Sequence, residues 1–303
     1  KRQILCFFPG LGGHFLLGTA GRRLAVSGTT VNEYKADDIT WLSLDNHALH
    51  DSDTVLDHGM LMDLLPEAVA WRSQMGDTYP RIAATHAMPV ITSTLFDMHT
   101  DELCVMGISQ GMEVLPCALA MIKNTMSPAW SDHEYKVRKL LRAARGMSPS
   151  IDIDGYGADM NRLDQLLKGA GMMRGINLAD TLFGWLFYIH CLEHGLDLCD
   201  IANLAAFFDA KIDDWLYDYA ALQARSLLMP LHAHDRLVMI DYGQLFFDRQ
   251  QPECAFLVGL DMARIAEYTR RNLSVLSGVM QGFPSRHAPA LLRIMAQAES
   301  RIN

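Results

Sequence analysis

The sequence lacks the features that are typical of proteins that bind nucleic acids or membranes. Acidic residues outnumber basic ones among its 303 residues, which gives a formal net charge of −9. Proteins that bind nucleic acids or anionic membranes without sequence specificity usually carry the opposite sign. The longest apolar run, LFGWLFYIHCL, is shorter than a bilayer span requires. We therefore expect neither a nucleic-acid partner nor a membrane partner.

The sequence also lacks paired cysteines. Its six cysteines are scattered, mostly within apolar runs, and none forms a C-x-x-C pair. Such spacing favours buried free thiols over disulfides. No signal-peptide pattern precedes the first apolar run. Together these observations predict a cytoplasmic protein whose cysteines are reduced.

Apolar runs rich in β-forming residues are present at regular positions. They predict buried strands in RQILCFF and ELCVMGI. Further strands are predicted at the start of DDITWLSLDNHALHDSDT, in PRIAATHA and, later in the chain, in HDRLVMIDYGQLF. Helical apolar spacing or a glycine turn follows most of them. This alternation predicts an α/β fold, a three-layer parallel sheet with flanking helices.

The middle of the chain has a different character. Residues 127–228 contain a basic amphipathic segment, a turn-rich connector and two long helical patterns. We interpret residues 1–303 as a single elaborated domain, with residues 127–228 as a helical insertion or lid within it.

The first predicted strand runs into a glycine turn, FFPGLGGHFLL. A glycine turn that feeds a helix presents backbone N–H groups and the positive end of the helix dipole, which suit a phosphate or sulfate. A histidine after another strand, His86 in THAMP, could then act as a general base. The turn lacks the G-x-x-x-x-G-K-[ST] pattern, so a tight turn beside a partly buried histidine is the alternative.

Taken in order, these segments resemble the cytosolic-type P-loop sulfotransferases. That family has a P-R-x-x-K-T-H-x-P strand, and its conserved places fall here on Pro80, Arg81, Thr85, His86 and Pro89. PGLGGHFLL lies where the family has its P-K-S-G-T-T-W-L donor loop, and LVMIDYGQLFFD looks like its later strand and Y-E-D-L segment. Residues 127–228 have no counterpart in the family pattern.

The resemblance implies sulfo transfer from 3′-phosphoadenylyl sulfate to the hydroxyl of a small molecule or glycan, without a metal. It implies that His86 is the catalytic base. It also implies donor contacts from Gly10, Leu11, Gly12, Gly13, His14, Phe15, Ser109 and Cys117.

Several of these positions depart from the family pattern. The loop lysine falls on Gly10, and the two threonines fall on Gly13 and His14. The arginine that would hold the 3′-phosphate falls on Ser109, and a serine falls on Cys117. The loop therefore keeps its glycines and loses its charge, and charge-assisted contacts of this kind are the strong ones.

The segment GISQG supports a second interpretation. It is a G-x-S-x-G motif between a predicted strand and a predicted helix, which is the context of an α/β-hydrolase nucleophile. Ser109 would be the nucleophile of an esterase or thioesterase, with Asp235 or Asp241 as the acid and His287 as the base. FPGLGG would then form the oxyanion loop.

A third interpretation is a sulfotransferase-like scaffold without chemistry. Such a scaffold would form an oligomer or a larger assembly. It would act as a structural or assembly component, for example of a phage particle. Metal binding is not predicted, because neither YIHCLEH, LHAHD nor DIDGYGAD fixes a complete ligand set by spacing.

Overall fold

The computed structural model describes residues 3–8, 10–13, 15–16, 39–41, 82–85, 102–126, 155–227, 237–251 and 260–302. The chain forms two compact units. The first, called the sheet unit here, comprises residues 1–113 and 217–267 together with Ile302. The second, called the helical unit, comprises residues 114–216 and 268–301.

The sheet unit is built on five parallel strands, which confirms the α/β class. Their bounds are β1 Gln3–Cys6, β2 Ile39–Trp41, β3 Ile82–Thr85, β4 Glu102–Gly107 and β5 Leu237–Asp241. The strand order is β2-β3-β1-β4-β5. Cys6 of β1 lies opposite Thr85 of β3 and Val105 of β4, so these strands end at one edge of the sheet.

Strand β4 is covered on both faces. Cys104, Val105 and Met106 are consecutive and are exposed by only 0, 9 and 5%. Because successive side chains of a strand point to opposite faces, both faces of β4 are shielded from solvent. On β5, by contrast, Met239 is 61% exposed while its neighbour Ile240 is 2% exposed, so only one face is buried there.

Helices account for most of the other described residues. Their bounds are α1 Val114–Met121, α2 Tyr156–Gly169, α3 Leu182–His194, α4 Ile201–Leu227, α5 Tyr242–Phe246, α6 Met262–Met280 and α7 Ala288–Ile302. A π-helical turn, Ile122–Met126, continues α1, and a 3-10 turn, Leu178–Asp180, precedes α3. The predicted helices after β4, in the middle of the chain and at its end are confirmed in these described ranges.

The capping of α3 follows from its sequence. Thr181 has extended backbone angles, and its hydroxyl accepts a hydrogen bond from the Gly184 N–H at 3.0 Å. Gly195 adopts the left-handed conformation that ends the helix. Gly184 also allows close packing, because a Cβ there would lie 2.0 Å from the carbonyl oxygen of Leu178.

Aromatic rings fill the core of the helical unit. Phe183 packs edge-on against Phe207 and Phe208, with ring centroids 5.3 and 6.0 Å apart. Phe208 packs edge-on against Phe283 at 5.2 Å, which joins α4 to the segment before α7. These rings are almost fully buried, which is the usual fate of large apolar side chains in such a unit.

The prediction of free cysteines is confirmed for Cys117, Cys191 and Cys199 and is wrong for Cys104, which is disulfide-bonded. Within the described residues, no helix combines the length and apolar character needed to cross a membrane. The described part of the predicted helical segment 127–228, residues 155–227, contains α2, α3 and α4 joined by shorter connections, and its role as a lid stays a prediction.

Candidate functional site

The chain connections diverge at the centre of the sheet. From β1 the chain passes to β2 on one side, whereas from β4 it passes to β5 on the other side. In open parallel sheets, ligands bind beyond the carboxyl ends of the strands at such a switch point. The segments that leave β1 and β4 therefore border the candidate site.

The segment after β1 forms a tight turn. The Leu11 N–H donates a hydrogen bond to the Phe8 carbonyl oxygen at 3.1 Å, and Gly10 has φ 93° at the third position of this turn. Only glycine adopts that angle without strain in most turns. The Leu16 N–H donates to the Gly12 carbonyl oxygen at 3.0 Å, so a helical turn begins at Gly13.

Apolar packing holds this turn in place. A Cβ on Gly13 would lie 2.3 Å from the Phe7 ring, so the ring lies directly on the backbone. Leu11 is completely buried, and the Phe8 ring packs edge-on against Tyr219 at 5.0 Å. The amides of Gly12 and Gly13 form no hydrogen bond to another described residue. The turn thus combines a rigid base with backbone donors at a helix start.

The segment after β4 forms a second turn. The Met112 N–H donates to the Ser109 carbonyl oxygen at 3.1 Å, and Gly111 has φ 85° at the third position. This geometry exposes the Ser109 side chain, and its hydroxyl donates a hydrogen bond to Asp241 Oδ2 at 2.6 Å. The turn therefore joins the ends of β4 and β5 through one short polar contact.

Asp241 is fixed from two sides. It is the last residue of β5 and lies opposite Gly107 of β4. Its Oδ1 accepts the Gln244 N–H at 2.9 Å and caps α5, while its Oδ2 accepts the Ser109 hydroxyl. Gly243 leaves little room beside it, since a Cβ there would lie 3.2 Å from Oδ1. The carboxylate orientation is therefore set by the backbone of α5.

The residues predicted to bind the donor fall into three groups: those in the two turns, one that is buried in a helix, and those outside the described residues. Gly10, Leu11, Gly12, Gly13 and Phe15 belong to the turn and helix start after β1, and Ser109 follows the neighbouring strand. Cys117 lies within α1 and has no exposed surface. His14 and the predicted base His86 lie outside the described residues, although the strand that leads into His86, β3, is described.

The residues of the predicted hydrolase triad are also only partly assembled. Ser109 contacts Asp241 directly, without a histidine between them. His287 belongs to the helical unit, and its Nε2 lies 3.0 Å from Asp213 Oδ1. Asp235 lies outside the described residues.

The backbone at Ser109 differs from that of a nucleophile elbow. Such an elbow holds its serine on a strained strand-to-helix turn. Among the described residues other than glycine, positive φ angles occur only at Met173 and Arg249. Helix α1 begins at Val114, five residues after the serine. The turn at Ser109 is therefore relaxed and separate from the helix.

The predicted metal-ligand candidates do not form a cluster in the described structure. No three histidine, cysteine or acidic side chains come together among the residues that are described. His190 and His194 on α3 have ring centroids 4.3 Å apart, and His194 Nδ1 lies 2.9 Å from the His190 carbonyl oxygen. Burial and the neighbouring His194 lower the pKa of His190.

Sequence reasoning missed a second polar group, in the helical unit. Asp209 on α4 accepts hydrogen bonds from the Ser285 hydroxyl at 2.5 Å and the Arg286 N–H at 2.9 Å. Asp213, one turn later, pairs with the Arg286 guanidinium and with His287. The five residues form what we call the α4–α7 network. The acidic residues at i and i+4 on α4 were the only local signal, and their partners are more than seventy residues away.

Comparison with known proteins adds no relative. No protein-family model, curated protein or solved structure matches the chain.

Proposed function

We propose that this chain is a divergent sulfotransferase-like protein that binds a sulfonucleotide donor and transfers its sulfo group to a hydroxyl acceptor. The observation that carries the proposal is the strand order. Strand β3, which leads into His86, lies directly beside β1, which leads into the glycine turn, and β4 lies on the other side of β1. A P-loop sheet requires this neighbourhood of donor turn and base.

Two observations favour a three-layer arrangement with helices on both faces. Strand β4 is buried on both faces at Cys104, Val105 and Met106. The connections leave β1 and β4 in opposite directions, and parallel crossovers are right-handed, so they fall on opposite faces. The helical segment 127–228 would then be inserted after β4.

The proposed roles combine the geometry of the turn with the sulfotransferase resemblance, which supplies the role of His86. The donor, when bound, supplies an activated sulfo group. Backbone N–H groups of Gly12 and Gly13 would bind its 5′-phosphosulfate, since a helix start with positive-φ glycines suits an anion. His86 would accept the proton of the acceptor hydroxyl. The acceptor would be a small molecule or glycan.

The fit to the donor is uneven. The glycine turn suits the 5′-phosphosulfate, because the Gly12 and Gly13 amides donate no hydrogen bond to another described residue. The 3′-phosphate is not matched. Ser109 is bonded to a carboxylate, Cys117 is fully buried, and neither can supply a positive charge. The proposed donor is therefore defined by its 5′-phosphosulfate and not by a 3′-phosphate.

Calorimetric titration with adenosine 5′-monophosphate and with adenosine 3′,5′-bisphosphate tests donor binding. We expect at least one nucleotide to bind below millimolar concentration. Gly12→Ala should weaken binding, because an alanine is strained at φ 76°. Gly157→Ala is the matched control, since a Cβ there meets no atom within 4 Å. No binding of either nucleotide at millimolar concentration would overturn the donor assignment.

The proposed base is tested separately from the donor site. His86→Asn should abolish sulfo transfer and leave nucleotide affinity unchanged. His194→Asn, an exposed histidine of the helical unit, is the control and should change neither. If nucleotide binds and His86→Asn retains full transfer, the role of His86 is wrong while the donor site stands.

A serine hydrolase is the second candidate, favoured by the 2.6 Å contact between Ser109 and Asp241. A fluorophosphonate probe should label Ser109 in that case, and labelling should disappear in Ser109→Ala. The relaxed turn at Ser109 leads us to expect no labelling. No nucleotide binding, no labelling and a large particle on sizing would together favour the non-catalytic scaffold.

A further inference from the structure

The Ser109–Asp241 pair places a carboxylate beside the candidate site. Asp241 lies at the end of β5 and Ser109 follows β4, beside the point where the connections diverge. In the described part of the chain, no lysine or arginine pairs with Asp241. Among the described residues, the Asp241 carboxylate is therefore not offset by a cation, and it can accept further hydrogen bonds.

We propose that the Ser109–Asp241 pair binds a free ribose hydroxyl, so that the nucleotide carries a 3′-hydroxyl and no 3′-phosphate. The proposal rests on the proposed function, because it concerns the nucleotide bound at the same candidate site. It specifies the donor class as a nucleoside 5′-phosphosulfate.

The hydrogen-bonding capacity of the pair matches a hydroxyl. Each carboxylate oxygen of Asp241 has two lone pairs, and each accepts one hydrogen bond from the chain. A ribose hydroxyl can donate to a remaining lone pair while its oxygen receives another donor. The Ser109 oxygen is an additional acceptor, and its side chain is exposed to solvent.

The same pair rejects a phosphate. A phosphate at this place would put like charges within contact distance, and such a juxtaposition weakens binding. Ser109 cannot offset the repulsion, because its hydroxyl hydrogen is already donated to Asp241. The fixed orientation of the carboxylate as the cap of α5 prevents it from turning away.

Calorimetry on the full chain tests the selectivity. Adenosine 5′-monophosphate should bind at least about tenfold more tightly than adenosine 3′,5′-bisphosphate, since like charges on neighbouring groups lower affinity. Asp241→Asn removes the charge and keeps an oxygen for the Gln244 N–H, so this preference should fall by about tenfold. Ser109→Ala leaves the charge and should retain most of the preference.

Asp200→Asn is the matched control. Asp200 caps α4 by accepting the Ala202 N–H at 2.9 Å and belongs to the helical unit, so its substitution should leave the preference unchanged. Thermal unfolding verifies that each variant is folded. Tighter binding of the bisphosphate by the natural chain, or an unchanged preference in folded Asp241→Asn, would overturn the inference while the proposed function stands. Binding of neither nucleotide would overturn both.

Discussion

Two serine–aspartate pairs of the same chemistry lie in very different surroundings. Ser109 donates to Asp241 at 2.6 Å in the sheet unit, and Ser285 donates to Asp209 at 2.5 Å in the helical unit. Ser109 is exposed, whereas Ser285 and Asp209 are only 5 and 8% exposed. The two pairs differ in burial and not in hydrogen-bond length.

The difference in burial implies different roles for the two serine–aspartate pairs. A buried carboxylate must have its hydrogen bonds satisfied by the protein, so Asp209 serves to fix the start of α7 against α4. Water can replace a lost partner at the exposed pair, and a ligand can do the same. Stability should therefore depend on Asp209, and ligand selectivity on Asp241.

The largest expected effect is the loss of stability on removing Asp209, and it is compared with the effect of removing Asp241. Asp209→Ala leaves the Ser285 hydroxyl and the Arg286 N–H without their acceptor, which should cost about 3 kcal/mol of unfolding free energy. Asp241→Ala removes a helix cap and should cost about 1 kcal/mol. Urea denaturation measures both. Equal losses would show that burial does not separate the pairs.

The second effect concerns close packing in the helical unit. Gly184→Ala places a methyl group 2.0 Å from the Leu178 carbonyl oxygen, a backbone atom that moves only with its segment. Overpacking of this kind should cost about 2 kcal/mol. Gly157→Ala, on α2, meets no atom within 4 Å and should be neutral or stabilising by up to about 1 kcal/mol. A folded Gly184→Ala of unchanged stability would contradict the packing described.

A smaller effect is expected for the corresponding glycine of the sheet unit. Gly13→Ala brings a methyl group to 2.3 Å from the Phe7 ring, which can shift as a side chain. The expected loss is about 1–2 kcal/mol, with weaker nucleotide binding because the turn moves. Gly107→Ala is the control, since nothing lies within 4 Å of its Cβ position. Unchanged stability and affinity in Gly13→Ala would show that the ring does not hold the turn.

The smallest effect is a pH dependence of the α4–α7 network. Burial lowers the pKa of His287, Asp209 opposes this shift, and Arg286 adds to it. The unfolded chain therefore binds this proton more readily, so the contribution to stability is present above about pH 6.5, the ordinary histidine value, and is lost as the pH falls through the lower folded pKa.

Urea midpoints between pH 8 and pH 5 measure this dependence. The natural chain should lose stability toward pH 5, and His287→Gln should lose less. His194→Gln, at an exposed position of α3, should behave like the natural chain. If His287→Gln shows the full dependence on pH, other groups are responsible for it.

The elements of the fold were largely predictable from short-range pattern. Each continuous apolar run that predicted a strand coincides with a described strand, and the helical spacing after Leu182 and Ile201 coincides with α3 and α4. Such patterns work because side-chain direction repeats every two residues in a strand and every 3.6 residues in a helix. The order of strands did not follow from these periods.

Individual residues of the candidate site were predictable from the sequence, but the contacts between them were not. Ser109 and Asp241 were both singled out from the sequence, as parts of a triad whose third member, His287, binds Asp213 in the helical unit. The direct bond between them spans 132 positions, and the Asp209–Ser285 bond spans 76. No local pattern encodes contacts of that range.

By itself, the sequence determined the type of each element and the glycine turns, because these depend on residues a few positions apart. Gly10, Gly12 and Gly111 had to be in turns, and their positive φ angles agree with that. Only the tertiary structure decided which turns meet at one edge of the sheet and which serine–aspartate pair is buried. Those outcomes depend on strand pairing and on the exclusion of water, both of which arise when distant segments pack together.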